Sequence, residues 1–371
     1  MFGAGRITAI GCHAKTNKYA GGFFEMKMKQ LLAILLALTM VLGFTTALAQ
    51  DTDPFADLDY YVMKVGHAQP ESNVRHLSLV QFKEDVEAAT HGHITVDIYA
   101  NSGLGNDDAL PEQILVGAVE AMRGGHFALM PELITFTAPF IANNRAEVSA
   151  LLDSDLAKEI AASAGAKVNG VILDVCDAGG FRQFSNNVRT IKTPADMVGL
   201  KMRIAPGMDT IDYTFKAMGA NTVSIPYGDL YMSLNTGVAD GQENPWVNIV
   251  AMAFYEVQKY FSEVNYQFHP DPFIVNLDWW NALPEEFQVI VQTAATAMGD
   301  YNDQLVDELQ GAAKQVVIDY EGSEVYVPTA EELALFVEAA QPVYQQMVEA
   351  GICTQEQIDM MFAIVAGVRG E

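Results

Sequence analysis

From Tyr60 onward, apolar residues switch repeatedly between a period of two and a period near 3.6, which outlines a succession of strands and helices. Tyr61 to Gly66 reads as a strand. Ser72 or Asn73 then caps a helix whose apolar positions include Leu77, Val80 and Val86 and which ends near Gly92. His93 to Tyr99 alternates, with Ile94, Val96 and Ile98 on one face, as a half-buried strand does. A second helix runs from about Asp108 to Val116, and Val119 to Met122 follows as a strand. This βαβαβ order predicts a mostly parallel sheet covered by helices.

A second unit of the same kind starts near Gly170. Val171 to Val175 is a strand, Thr193-Pro194 opens a short helical turn stopped by Gly199, and Leu200 to Ile204 is the next strand. Met208, Ile211, Phe215 and Met218 have helical spacing, with Gly219 as a C-terminal stop. Thr222 to Ile225 is a strand closed by Pro226, and Asp229 to Asn235 is a helix ending at Gly237. Beyond Phe273 the chain returns to a strand. Pro284 then starts a helical stretch reaching toward Asp319, and the remainder, including Thr329 to Ala350, is mainly helical. Two α/β lobes with the chain crossing between them are the simplest fold.

The N-terminal segment breaks this pattern. Lys27 and Lys29 precede an almost unbroken apolar run from Leu31 to Phe44, and Ala47-Leu48-Ala49 supplies a small-x-small cleavage site. This predicts a signal peptide over 26–49, cut between Ala49 and Gln50, and hence a periplasmic protein. The run of about 14 residues is short for a membrane span, which needs about 20. Residues 1–25 fit neither a leader nor a folded element and read as an extension upstream of a true start at Met26 or Met28.

Charge changes the picture next. Of 21 Lys+Arg and 47 Asp+Glu, residues 1–49 hold five basic and one acidic, so cleavage leaves 16 against 46, a formal charge of −30. Such a surface repels nucleic acid and anionic lipid. Seven arginines remain, at 75, 123, 145, 182, 189, 203 and 369, so any anionic ligand must find a local positive site in a negative molecule. Cys176 and Cys353 are the remaining cysteines. Export permits a disulfide, but a buried thiol explains Cys176 in its apolar run equally well.

Several strings carry a more specific message. Asp240-Gly241-Gln242-Glu243-Asn244-Pro245 is followed by Phe254-Tyr255-Glu256-Val257-Gln258-Lys259-Tyr260. Before them stand Leu104-Gly105-Asn106-Asp107, Gly180-Phe181-Arg182-Gln183, Gly199-Leu200-Lys201-Met202-Arg203-Ile204, and Gly219-Ala220-Asn221 leading to Pro226-Tyr227; Trp280 and Leu283-Pro284 come after. In this order, over nearly all of 59–350, the chain resembles the substrate-binding proteins of tripartite ATP-independent periplasmic (TRAP) transporters. The resemblance implies a periplasmic-binding-protein fold: two α/β lobes around a ligand cleft, crossover strands, and a long helix spanning both. Lobe I is expected over 59–180 and 270–371, with part of the C-terminal helices packing on lobe II, and lobe II over 181–269.

It also implies a small organic acid as ligand, small and large integral membrane subunits as partners, and no cofactor or metal. Arg203 matches the family's carboxylate-binding arginine, and a guanidinium's planar fork suits a carboxylate. Its strand end, just before Pro206-Gly207, is where open α/β sheets place ligands. Spacing alone would equally allow a surface salt bridge. Arg182 matches a second cationic position, or stabilises a hinge as an ion pair. Asn244 matches a ligand-contacting amide, able to donate and accept, unless Pro245 makes it a turn residue. Tyr227 matches an aromatic of the pocket wall, though an aromatic beside a proline is commonly core. Asp107, Trp246 and Asp271 are further candidates at matching positions.

One stretch departs from the family. Met122-Arg123-Gly124-Gly125-His126-Phe127 replaces a small, polar segment that supplies ligand contacts in relatives. Arg123 and His126 are therefore candidates too, and an added cation would suit a diacid; either is otherwise a solvated turn residue.

An enzyme is the contrasting class. No HExxH, GxSxG, CxxC or GxxxxGK[ST] string occurs, and His91 and His93 flank Gly92 as an exposed turn would. The expectation is a binding protein without catalysis. A ligand sensor of the same fold that docks on a membrane receptor is the nearer alternative.

Overall fold

A computed structural model of the chain describes residues 53–124 and 127–371. The expected leader, the segment before it and His126 lie outside the described residues.

The first unit runs β1 (Tyr61–Gly66), α1 (Val74–Ala89), β2 (Ile94–Tyr99), α2 (Ala109–Leu115) and β3 (Ala121–Arg123). β1 pairs in parallel with β2 on one side and β3 on the other. Ile94 and Val96 of β2 are buried while Thr95 and Asp97 are exposed, as the alternation predicts. Asn73 caps α1 by accepting from the Arg75 amide. The inward face of α1 differs from the expected one: Val74, Leu79, Phe82 and Val86 are buried, and Leu77 is exposed. Two polar residues rotate it, because Arg75 and Ser78 also point inward, where Arg75 reaches Asp271 and Ser78 meets Arg123.

Helices α3 (Arg145–Leu152) and α4 (Asp155–Lys167) lead to β4 (Gly170–Asp177). The returning strand β10 (Pro270–Asn276) enters this sheet antiparallel, between β3 and β4, giving the order β2-β1-β3-β10-β4. The second sheet has the order β11-β9-β5-β8-β6-β7. Its strands are β5 (Arg182–Asn186), β6 (Lys201–Ile204), β7 (Asn221–Ser224), β8 (Gly241–Pro245), β9 (Tyr260–Ser262) and β11 (Glu324–Tyr326). Between them lie α5 (Asp209–Ala217), α6 (Leu230–Asn235) and α7 (Trp246–Ala251). Met208, Ile211, Phe215 and Met218 are all buried on or beside α5.

Two adjacent segments cross between the lobes. Residues 178–181 link β4 to β5, and 263–269 link β9 to β10. The Ala178 amide donates to the His269 carbonyl at 3.0 Å and the Arg182 amide to the Gln267 carbonyl at 2.9 Å, so the crossing is itself a short antiparallel ladder. Asp177 anchors its base, accepting from the amides of Gly179 and Gly180 at 3.1 and 2.9 Å. Gly180 sits at φ +95°, a conformation that glycine adopts without strain. After α8 (Leu277–Ala282), α9 (Glu285–Asp319) runs 35 residues, about 50 Å at 1.5 Å per residue. It touches α1 and β4 of one lobe and α7 of the other. Helix α10 (Ala330–Glu349) packs on α5, and α11 (Gln355–Arg369) on α3. Cys176 and Cys353 are both free and buried. Among the described residues no helix is long and apolar enough to cross a membrane.

One contact of α9 makes stability depend on pH. Asp174 of β4 packs so closely on Gly299 that a Cβ there would lie 2.2 Å from its Oδ2. Burial lifts the Asp174 carboxyl from 3.8 to about 7; Arg123 opposes this and Asp303, Asp300 and Asp153 add to it. The folded state therefore holds this proton more tightly than the unfolded chain. The Asp174 contribution to stability is fully present below the unfolded pKa near 4 and is lost as pH rises through 7. Asp174→Asn removes the ionisation, so it should exceed the parent by about 2 kcal/mol at pH 8, with the gap closing toward pH 4. Urea denaturation at the two pH values measures this, and a gap that is constant or reversed would contradict it.

Candidate functional site

The carboxyl ends of strands from both sheets point into the space beside the crossing, the usual ligand position of open α/β sheets. From the first lobe come Gln69 after β1, Ser102 after β2, and Asn106 and Asp107 on the loop before α2, with Arg75 from the first turn of α1. From the second come Arg203 near the end of β6, Tyr227 after β7 and Asn244 near the end of β8, while Arg182 and His269 stand on the crossing strands. They enclose a cavity of about 70 Å³. Contacts across it hold the lobes together: Asn73 Nδ2 donates to Asn248 Oδ1 at 2.8 Å, and the Tyr227 hydroxyl to Gln69 Oε1 at 3.4 Å. A larger groove of about 670 Å³ lies beside α4 and β4, but its wall is mostly alanine and branched aliphatic residues and carries no arginine.

Arg203 is the distinctive group. Its side chain is 2 % exposed, its Nε donates to the Ile225 carbonyl at 2.9 Å, and its Nη2 has no hydrogen-bond partner. Its guanidinium lies 5.9 Å from the centre of the Tyr227 ring, a cation–π contact. Burial, reinforced by repulsion from Arg182 and only partly opposed by Glu243, lowers its pKa to about 10. It is thus charged at neutral pH, buried, and short of a counter-ion. Such a group is costly unless an anion completes it.

Arg182 and Arg75 differ in holding ion pairs, although Arg75 Nη1 also has no hydrogen-bond partner. Arg182 forms a close ion pair with Glu243 through Nε, while its Nη2 donates to Glu243 Oε1 at 2.9 Å, the Glu243 carbonyl at 3.0 Å and Asn244 Oδ1 at 3.1 Å. Tyr266 also donates to Glu243, at 2.9 Å. Arg75 grips Asp271, Nη2 to Oδ1 at 2.8 Å and Nε to Oδ2 at 3.1 Å, with Asp107 at 3.9 Å. Burial lowers the Arg75 pKa, yet these two carboxylates more than offset it and leave it raised. His269 is held neutral, its pKa pushed far down by burial and by the three surrounding arginines. Burial likewise pushes the Tyr227 hydroxyl up to about 12, so it stays protonated.

Of the nine residues singled out by sequence, the structure brings Arg203, Arg182, Asn244, Tyr227 and Asp107 together in the cavity wall. It sets three others behind it. Arg123 is fully buried inside the first lobe, bonding Ser78 and the Cys176 sulfur and pairing with Asp271 at 3.1 Å. Asp271 lies between Arg75 and Arg123 and meets the cavity only through Arg75. Trp246 packs on Phe261 in the second-lobe core. Sequence reasoning missed Arg75, Gln69, Asn248 and His269. Arg75 carried a readable signal: a cation in the first turn of a helix opposes the helix dipole, so something else must hold it there.

The chain matches the family described as "Bacterial extracellular solute-binding protein, family 7" over residues 65–350. The protein y4mM of Sinorhizobium fredii is 34% identical over 217 residues, which span 58% of this chain and 40% of that one. The 2,3-diketo-L-gulonate-binding periplasmic protein YiaO of Escherichia coli is 29% identical over 261 residues, 69% of this chain and 77% of that one. A TRAP periplasmic solute-binding protein from Shewanella oneidensis, solved with bound succinate, superposes with a TM-score of 0.78 at 25% identity, covering 82% of this chain and 99% of that one.

Proposed function

Because the chain belongs to the bacterial extracellular solute-binding proteins of family 7, we propose that it captures a small organic acid in the periplasm, with Arg203 binding the carboxylate. The observation that carries this reading is the buried Arg203 guanidinium, with an open donor position and no counter-ion of its own. A ligand carboxylate there accepts from the planar fork and removes the cost of the isolated charge. Arg182, Asn244, Tyr227 and Asp107 orient the remainder of the molecule. The named ligands of the relatives, 2,3-diketo-L-gulonate and succinate, are both carboxylates.

The protein leaves its ligand chemically unchanged. The lobes close on the acid about the crossing strands, and closure is favoured by contacts made only in that state. The loaded form then docks on the small and large membrane subunits of a TRAP transporter. The leader over 26–49, cut between Ala49 and Gln50, directs export. Isothermal titration of the purified exported protein against a panel of organic acids, with chromatography of the ligand afterwards, tests this reading. Saturable binding and full recovery of unchanged acid are expected; turnover, or no binding by any carboxylate, would overturn it.

A further inference from the structure

Resting on the reading of this chain as a two-lobed protein that closes on its ligand, we infer that Asn73 and Asn248 form a latch between the lobes. It holds the closed state through a bond in which the ligand takes no part, so both are positioning residues.

Asn73 has two roles at the start of α1. Its Oδ1 accepts from the Arg75 amide at 3.0 Å and caps the helix, while its Nδ2 donates to Asn248 Oδ1 on α7 at 2.8 Å. The two residues belong to opposite lobes and are 2 % and 3 % exposed. The next residue, Val74, is buried in the hydrophobic cluster of the second lobe, with Val247 and Ile249 of α7 and Val306 of α9. The first turn of a first-lobe helix is thus seated in the second lobe, by one neutral hydrogen bond beside apolar packing. Buried amides hold such a bond firmly, because parting them without water leaves each unsatisfied.

The latch stands between the hinge and the ligand site. On the crossing, Gly179 at φ +145° passes so close to α7 that a Cβ would lie 2.9 Å from Val247 Cγ2 and 3.3 Å from Asn248 Oδ1. On the other side Arg75, whose Nη1 has no hydrogen-bond partner, follows Val74 and faces the cavity. The latch therefore fixes where Arg75 stands when the lobes are shut. A stretch of about 1 Å takes the amide pair beyond bonding distance. Rotation of the lobes breaks it even this near the pivot, while the ladder of the crossing strands persists. A bond present in the closed state alone shifts the equilibrium toward closure, and it tightens every ligand of that state by the same factor.

Asn73→Ser tests the inference. Serine keeps a capping oxygen but is too short to reach Asn248, and residue 73 lies outside the cavity wall. Asn248→Ala removes the other partner, and the double variant completes a cycle. Calorimetric titration with succinate, gluconate and pyruvate gives the affinities, and stopped-flow displacement gives the dissociation rates. Asn73→Ser should weaken each acid that the parent binds by about three- to tenfold, the contribution of one hydrogen bond, and through faster dissociation. The double variant should bind no more weakly than Asn248→Ala alone, since either change breaks the same bond. Parental affinity in Asn73→Ser, a loss confined to one of several bound acids, or losses that add in the double variant would overturn the latch and leave the carboxylate site intact. Failure of every acid to bind the parent would remove the proposed function, and the latch with it.

Discussion

Replacing Arg203 by alanine should weaken acid binding by two orders of magnitude or more without unfolding the protein. A charge-assisted hydrogen bond contributes about 1.5–3 kcal/mol, so losing a two-pronged contact costs at least about 3 kcal/mol, roughly a hundredfold in Kd. The unusual part of the expectation concerns the empty protein. Arg203 is buried, its Nη2 is unbonded, and it is repelled by Arg182. Its removal relieves an uncompensated charge while leaving a cavity that water can fill. The ligand-free variant should therefore melt at or above the parent temperature, whereas added acid should no longer raise its melting point as it does for the parent. Calorimetric titration and thermal melts of both proteins give the answer. A variant that binds acid with parental affinity would remove Arg203 from the site, and one that is unfolded when empty would assign it a structural role.

The fold was most legible where one face of an element meets solvent. β2 alternates, the apolar positions of α5 recur at helical spacing, and α9 is marked at its start by Pro284. Strands β5 and β8 gave no such signal. Their sequences, RQFSN and GQENP, are polar and yet every residue is buried, because they line the crossing and the cavity and are paired on both sides. Period-two reasoning is silent there, and those segments became visible only through the strings shared with relatives. The inward face of α1 was misjudged for a related reason: Arg75 and Ser78 occupy core-facing positions that hydrophobicity assigns to solvent.

The site was legible where the second lobe builds it. Arg203, Tyr227 and Asn244 each follow or end a strand, and position along the chain translates directly into position at the cleft. The first lobe was harder to read. Arg123 lies at the carboxyl end of β3, a place that suggests ligand contact, but Asp271 of the neighbouring β10 draws it back into the lobe. Pairing of β10 with β3 is a contact between residues about 150 positions apart, which no local pattern reports. Arg75 holds the position facing the cavity instead, presented by the helix that follows β1.

That arrangement makes Asp271 the hinge of the electrostatics, and Asp271→Asn should be the most destabilising single change near the site. Asp271 is 1 % exposed and answers two buried guanidiniums, Arg75 at 2.8 Å and Arg123 at 3.1 Å. Asparagine keeps the shape but removes the charge, leaving both arginines in a low-dielectric interior with Asp107 3.9 Å from Arg75 and the Asp174 carboxyl acting on Arg123. Breaking a buried pair in this way costs about 3–5 kcal/mol, a large share of the total stability of an ordinary domain. If the loss is electrostatic, removing one of the stranded cations should recover part of it, so the double variant Asp271→Asn, Arg123→Met should be more stable than the single one. The empty single variant should also be stabilised by organic anions more than the parent is, because Arg75 then keeps only the more distant Asp107 as a counter-ion. Chemical denaturation of the three proteins, with and without acid, measures both effects. A double variant less stable than the single would show that Asp271 acts through packing and not through its charge.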